Sequence, residues 1–212
     1  MRALIVFCIP VIGFAVGCSK PAADPVAPAS PPPLSAEVRQ LAIERGKAIA
    51  TETFSLLSSN LQSAIQSGGI SNALPFCSLA ASPLTASMAE RHGVKLRRIT
   101  HKARNPAGRA DAIELAVLKS FETALAASTN PPPPFVTNLV SGEATFFIPI
   151  VINKELCLKC HGELGKDISA ENLVIIRAHY PQDEATGFKF GDLRGAWRID
   201  FPLATLATAP AQ

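Results

Sequence analysis

The chain has 212 residues, of which 48% are hydrophobic, and its formal net charge is +3. This length suits one folded domain with an additional segment, and the hydrophobic content suffices for a buried core. The small charge and the lack of an aromatic and basic stripe argue against nucleic-acid binding.

The N-terminal sequence MRALIVFCIPVIGFAVGCSK predicts export from the cytoplasm. One basic residue precedes an apolar run that is too short for a stable membrane span. The run ends in AVGC, which resembles a bacterial lipobox, so we expect residues 1–18 to be a lipoprotein-type signal peptide and Cys18 to be lipidated. Because Ser19 follows, we expect an outer-membrane lipoprotein on the periplasmic face. The alternative is an ordinary signal peptide cleaved near Ala15 or Gly17.

A Pro/Ala-rich tether, SKPAADPVAPASPPPL, occupies residues 19–34 and is expected to be extended. We expect one folded domain over residues 35–205 and a flexible tail over residues 206–212.

Two long helices are predicted at the start of the domain. Ser35 is a suitable N-cap, and apolar residues recur at helical spacing as far as the glycine pair at 68–69, which ends the first helix. We expect a break near residues 51–53. The second helix is predicted over residues 72–91.

The rest of the domain alternates between strands and shorter helices. The predicted strands are residues 94–99, 135–140, 144–152 and 193–201, and the predicted helices are residues 110–126 and 169–180. Pro149 indicates that its strand is an edge strand or is bulged. In the last strand the apolar residues Leu193, Trp197, Ile199 and Phe201 are all odd-numbered, which predicts a half-buried strand. The order of elements predicts an α+β fold with an antiparallel sheet.

The segment CLKCHG, residues 157–162, predicts covalent haem attachment. Two thiols three positions apart lie on one side of a helical turn and can reach both vinyl groups on one edge of a porphyrin. A histidine directly after the second thiol can then bind the iron. We therefore expect one covalent haem c, with thioether bonds to Cys157 and Cys160 and with His161 as the proximal ligand. The short helix is expected to start at Asn153 or Lys154 and to end at Gly162.

Three other sites with this cysteine spacing fit the sequence less well. A structural zinc site needs four ligands, and no second pair of ligands is present at the required spacing. A thioredoxin-like dithiol occurs in a βαβ unit, whereas this motif follows a predicted hairpin. A simple disulfide is possible, because an exported C-x-x-C pair can oxidise, but export together with the adjacent histidine favours haem.

The second axial ligand has several candidates in the sequence. Cys77 lies on the apolar face of the second helix, with two alanines one turn later that would let a flat ring approach. A buried thiol that acts as a small hydrophobe is the alternative for this residue. The other candidates are Met88, which also suits the core, His92, which suits a helix C-terminus, His101 and His179.

Four segments, PFCSLAA, RRITHKARNP, FFIPIVINKELCLKCHG and YPQDEATGFKFGDLRGAWRIDF, together resemble a bacterial family long described as a domain of unknown function. The resemblance covers about residues 35–204. Members of that family carry one c-type haem in a PAS-like domain, either as exported single-domain proteins or as the extracytoplasmic part of sensor kinases. The resemblance therefore implies a PAS-like antiparallel sheet with long N-terminal helices.

The resemblance also implies an axial pair of His161 and Cys77. It implies haem contacts by residues in the shared polar segments, which are Arg98, Arg104, Asn105 and Tyr180. Arginine suits such a role because it pairs well with carboxylates such as the haem propionates. The match departs at His101, inside one shared segment, and at His179, which remains a rival ligand.

These features predict a membrane-tethered redox protein rather than an enzyme. A histidine and a thiolate would fill both axial positions and stabilise ferric iron, which suits electron transfer or redox sensing. The alternatives are a sensor of NO or CO and a peroxidase-type haem enzyme. The expected partners are a redox or signalling protein and the membrane, through the lipid anchor.

Overall fold

The fold begins with a long helix, α1 (Ala36–His92), in the computed structural model, which describes residues 31–128, 130–140 and 142–207. Ser35 caps α1, since its Oγ accepts a hydrogen bond from the Val38 amide at 3.2 Å. Backbone angles are non-helical at Gly68 and at Gly69, whose φ is 73°, so the predicted end of the first helix is confirmed. The break expected near residues 51–53 is wrong, because buried Thr53 lies within a continuous helix and its hydroxyl donates to the Ile49 carbonyl.

The two halves of α1 form a helical hairpin. Arg91 and His92, at the end of the second half, each lie 2.9 Å from the carboxylate of Glu52 in the first half. Near the turn, the Asn72 side chain donates to the Ala64 carbonyl at 2.9 Å. The second half therefore runs antiparallel to the first and carries Cys77 back toward the sheet.

The other elements build one antiparallel sheet and four shorter helices. They are β1 (Lys95–Ile99), α2 (Ala112–Ala127), β2 (Phe135–Thr137), β3 (Glu143–Val151), α3 (Glu155–His161), α4 (Ala170–His179), β4 (Leu193–Pro202) and α5 (Leu203–Ala207). A short 3-10 helix, Pro106–Gly108, lies between β1 and α2. The strand order is β1-β4-β3-β2 with every pair antiparallel, so the predicted α+β class is confirmed. β2 is shorter than the predicted strand over residues 135–140.

Helices cover both faces of the sheet. The first half of α1 packs on one face, where Ile49 joins Phe146 and Ile199 in the main cluster of buried residues. This approach is close, because a side chain at Gly46 would meet the Phe146 ring at 2.5 Å. On the other face, α2 packs Leu118 and its neighbours against the sheet. The hydrophobic core is therefore divided between two layers.

Pro149 lies in β3, which pairs with strands on both sides. The prediction of an edge or a bulge at Pro149 is confirmed locally, although β3 as a whole is not an edge strand. β2 pairs with β3 only as far as Phe147, so beyond that residue β3 has β4 as its sole neighbour in the described sheet. A register shift follows between Ile150 and Val151. Pro149 thus occupies a stretch where one side of the strand needs no amide donor.

β4 is buried on both faces, so the predicted half-buried strand is wrong. Opposite Ile150 and Val151 the strand contains an extra residue, which is a β-bulge. The bulge places Leu193 in the cluster under α2, whereas Trp197 lies in the cluster under α1. Gly195 sits in the bulge with φ 153°, and a side chain there would meet the Ile99 carbonyl oxygen at 2.3 Å.

The polar residues of β4 are held in a buried ionic network against α2. Arg198 donates to the fully buried carboxylate of Glu114 at 3.0 Å and to Asp200 at 3.1 Å. Thr145 donates to Asp200 at 2.7 Å, and Glu114 also accepts from the Asp111 amide in a capping box. The network therefore joins β3, β4 and the first turn of α2.

The described part of the chain contains no helix with both the length and the hydrophobicity needed to cross a bilayer. Residues 1–30, which include the expected signal peptide, Cys18 and most of the tether, lie outside the described residues, as do residues 208–212. Within α5, Leu206 is 2% exposed and belongs to the main core cluster.

Glu114→Ala is expected to lower the free energy of unfolding by about 3–5 kcal/mol, because it removes one partner of a buried ion pair. Urea denaturation followed by circular dichroism measures this change. Glu163→Ala is a matched control, since Glu163 is 63% exposed and pairs with Lys166 on the surface; it should change stability by less than about 0.5 kcal/mol. Equal effects of the two substitutions would contradict the structural role of the network.

Candidate functional site

The CLKCHG motif forms the last part of α3. The helix begins after Lys154 and ends at Gly162, whose amide donates to the Leu158 carbonyl at 2.8 Å, so the predicted bounds are confirmed. The segment 183–188 packs against this helix end. The Phe188 amide donates to the His161 carbonyl at 3.0 Å, and the Gly187 amide donates to the Gly162 carbonyl at 2.7 Å. These donors satisfy carbonyl groups that have no partner within the helix.

The side chain of His161 is held in one tautomer. Its Nδ1 lies 2.8 Å from the Ala185 carbonyl oxygen, which can only accept a hydrogen bond. In the neutral ring Nδ1 therefore carries the hydrogen, and the lone pair of Nε2 is available to a metal ion. The Phe188 ring meets the imidazole edge-to-face, with centroids 6.3 Å apart.

His161 is kept neutral by its surroundings. Burial lowers the pKa of its imidazole well below the ordinary value, and the cationic Arg194 and Arg104 lower it further. A neutral imidazole is the form that binds a metal, so these surroundings favour the ligand over the protonated ring.

The three cysteines of the described chain are free thiols. Cys157 packs beside Ile152, Ala185 and Phe188, whereas Cys160 packs beside Leu74 and the buried isoleucines of α4 and its N-terminal flank. Burial raises the pKa of the Cys160 thiol to about 11, against a smaller lowering by Arg104. The charges of Cys77 and Cys157 raise the same pKa, so the three thiols lie near one another.

Cys77 lies in the second half of α1 and faces the same cations. Burial raises the pKa of its thiol, and the nearby guanidinium groups of Arg98 and Arg104 oppose that rise. The structure thus brings Cys77 together with Cys160, Arg98 and Arg104.

The rival ligands of the sequence lie in other surroundings. Met88 is 0% exposed in the core, and His92 is paired with Glu52 on the helical hairpin. The His101 ring lies 6.1 Å from the Phe188 ring and its Nδ1 is 3.7 Å from Glu122. His179 is exposed at the end of α4. In the described part of the chain, no group of three or more His, Cys, Asp or Glu side chains could hold a metal ion.

Three arginines surround the site with positive charge. Arg98, Arg104 and Arg194 all line a cavity of about 230 Å³ between α1 and the sheet. The Arg98 side chain is open to the cavity and makes no hydrogen bond or ion pair with another described residue. The cavity is therefore suited to an anionic group.

Arg194 was not among the residues predicted from the sequence. It is 4% exposed, its Nη1 donates to the Thr100 hydroxyl at 3.0 Å, and its buried Nε has no partner in the described structure. Burial lowers its pKa to about 9, with further lowering by Arg98 and Arg104. The alternation of apolar and polar residues placed Arg194 on the face opposite Trp197. The bulge at Gly195 instead turns Arg194 to the same face as Trp197, and the sequence pattern does not show this.

The other predicted haem contacts already have protein partners. Arg104 forms a bidentate ion pair with Asp183, at 3.0 and 3.1 Å, and lies over the Tyr180 ring. Asn105 caps the 3-10 helix, since its Oδ1 accepts from the Ala107 amide at 3.0 Å. Arg104, Asn105 and Tyr180 also line a second cavity of about 240 Å³, beside His179.

In protein without an attached cofactor, Cys160 is expected to react with iodoacetamide at pH 8 about a hundredfold more slowly in the folded state than in urea. The reason is that a pKa of about 11 lowers the thiolate fraction, and the thiolate is the reactive form. Peptide mass spectrometry measures the rate at each cysteine. Equal rates in the folded and unfolded protein would contradict the burial of this thiol.

A structural comparison finds a similar fold in the crystal structure of the cyanobacterial heme-protein Tll0287. The TM-score is 0.54 and the sequences are 24% identical, with 75% of this chain and 94% of that chain covered. No curated protein matches the chain.

A family model provides the second comparison. The model described as Tll0287-like matches residues 35–202, a range that holds every described strand, the helices α1 to α4 and the whole candidate site. Because this match covers well over half of the chain, the chain belongs to the Tll0287-like family.

Proposed function

We propose that this chain is a c-type haem protein. Cys157 and Cys160 would bind one haem through thioether bonds, and His161 would coordinate its iron. The observation that carries the proposal is the hydrogen bond from His161 Nδ1 to the Ala185 carbonyl, which leaves Nε2 free beside two unpaired thiols. Metal-binding histidines commonly donate their other ring N–H in this way. The similar fold of a protein described as a heme-protein supports the proposal.

The charges around the cavity fit a haem, which carries two propionate groups. Arg98 has no ionic partner among the described residues, and the buried Nε of Arg194 has none either. Asp183, whose charge acts on Arg194, is already paired with Arg104. Two carboxylates in the cavity would therefore supply the partners that Arg98 and Arg194 lack.

We propose Cys77 as the second axial ligand. Its charge acts on Cys160, and although burial raises the pKa of the Cys77 thiol, the guanidinium groups of Arg98 and Arg104 oppose that rise. Met88 is a core residue and His92 is held by Glu52, whereas the charge of Cys77 acts on Cys160 of α3. The cations thus have a second role, which is to stabilise an anionic ligand as well as the propionates.

The proposed activity is one-electron redox chemistry, in electron transfer or redox sensing, which the haem supplies when bound. The residues of the chain would hold the edges of the haem, keep His161 neutral and restrict water around the imidazole. A histidine and a thiolate at the two axial positions would favour ferric iron. We further propose that the fold is PAS-like, and that a lipid on Cys18 tethers the domain at the periplasmic face of the outer membrane.

Expression of the full chain in a bacterium that attaches haem to exported proteins is expected to yield one covalent haem per chain. Intact mass and a pyridine haemochrome spectrum measure this attachment. The double variant Cys157→Ala/Cys160→Ala should carry no covalent haem, whereas Cys77→Ser, which removes a thiol outside the motif, should retain it. Wild-type protein that matures without haem would contradict the proposal.

Cys77→Ser is expected to keep the covalent haem but to lose the low-spin ferric signal that a thiolate ligand produces in electron paramagnetic resonance. The serine hydroxyl is a much weaker ligand, so ferric iron should become high-spin or gain a different sixth ligand. Met88→Leu is the matched control, because it replaces the rival sulfur ligand at nearly constant volume. If Met88→Leu changes the signal and Cys77→Ser does not, the axial assignment is wrong. Binding of CO to the ferrous wild type, with loss of one axial ligand, would instead favour gas sensing.

A further inference from the structure

Arg104 joins two segments that enclose His161. It lies in the loop after β1 and is 8% exposed. Its Nη2 donates to the Cys160 carbonyl at 2.6 Å and to the Ala185 carbonyl at 3.4 Å. Cys160 directly precedes His161, and Ala185 supplies the carbonyl that accepts from His161 Nδ1. A single guanidinium group therefore contacts the backbone before the histidine and the acceptor of its ring.

Asp183 holds Arg104 in this position and also acts on Ala185. Its two oxygens accept from Nε and Nη2 of Arg104 at 3.1 and 3.0 Å, and both side chains are less than 10% exposed. Asp183 Oδ1, which accepts from Arg104 Nε, also accepts from the Ala185 amide at 2.9 Å. Arg104 and Asp183 thus fix the peptide groups on both sides of Ala185, and we name this pair the Arg104–Asp183 clamp.

We propose that the Arg104–Asp183 clamp positions His161 and sets the strength with which its imidazole binds the iron. This inference rests on the proposed function and extends it to two residues that do not contact the metal. Partners of a ligating histidine fix its ring orientation and its basicity, and their loss commonly changes affinity or activity by about 10- to 100-fold.

The direction of the effect follows from the shared acceptor. The Ala185 oxygen lies 2.8 Å from His161 Nδ1 and 3.4 Å from Arg104 Nη2, whose two hydrogens point mainly at the Cys160 carbonyl and Asp183. The guanidinium group therefore makes a weak third contact with this oxygen and draws electron density from it. Without the Arg104 donor, the hydrogen bond from Nδ1 should strengthen and the imidazole should become a stronger electron donor. A stronger donor stabilises ferric iron relative to ferrous iron.

Arg104→Lys tests the clamp, because lysine keeps the charge but lacks the planar fork that reaches Asp183 and two carbonyls together. In the full-length haem protein, we expect the ferric/ferrous equilibrium to move about tenfold toward ferric, which is about 59 mV for one electron. The ferric g-values in electron paramagnetic resonance should also change, because they report the orientation of the axial ligands. Redox titration and frozen-solution spectra measure these two quantities.

Arg109→Lys is the matched control. Arg109 pairs with Glu184 at 3.0 Å, directly beside Asp183, but the two side chains are 53% and 45% exposed. This substitution should leave the equilibrium and the g-values unchanged. An equal change in Arg104→Lys and Arg109→Lys, or no change in Arg104→Lys, would overturn the proposal.

If Arg104→Lys does not fold, Asp183→Asn tests whether the Arg104–Asp183 clamp positions His161. Asparagine has nearly the same shape and keeps one oxygen for the Ala185 amide, but it loses the charged fork. The g-values should again change, while the uncompensated Arg104 charge should move the equilibrium toward ferrous. Wild-type spectra and potential in Asp183→Asn would overturn the proposal. Wild-type protein without covalent haem would overturn the proposed function as well, so the two failures are distinguishable.

Discussion

The burial of β4 on both faces is the constraint on which the rest of the structure depends. The strand pairs with β1 and β3 and is covered by α1 on one side and α2 on the other. None of its polar side chains can simply turn to water, so each needs a partner inside the protein. Arg198 and Asp200 find theirs in the network with Glu114, which fixes the position of α2. Arg194, on the other face, lacks a partner for its Nε and is therefore suited to a ligand.

At the end of α3, the polar groups of the candidate site likewise need partners inside the protein. A helix of seven residues leaves several carbonyl groups without intrahelical donors. The segment 183–188 and Arg104 supply these donors, and in doing so they enclose the imidazole of His161. Structural hydrogen bonding and ligand positioning are therefore performed by the same residues. This explains why a loop without regular secondary structure is as important to the site as the helix with the CLKCHG motif.

The sequence suffices to predict the α+β class, the positions of most elements and the bounds of α3, because those depend on local patterns. The glycine pair at 68–69 and the spacing of CLKCHG are such patterns. The sequence does not suffice where the outcome depends on residues that are distant in the chain. The β4 alternation suggested one solvent-exposed face, yet the bulge at Gly195 reverses it and α2 covers its polar side. Arg194 and Ala185 could not be predicted for the same reason. No local pattern shows that a bulge turns the Arg194 side chain, or that the Ala185 carbonyl lies beside the His161 ring.

The helical hairpin of α1 has a thermodynamic consequence under the proposed ligation. Cys77 and α3 are separated by about 80 residues, and both would be bonded to one iron, so the metal would act as a cross-link that closes this loop. In the chain-entropy model, a covalent cross-link over a loop of that size restricts the unfolded state by on the order of 4 kcal/mol. The bond to Cys77 would then contribute to the stability of the tertiary structure, and its rupture on a change of oxidation state would loosen the hairpin. Redox state and conformation would in this way be linked through a single sulfur atom.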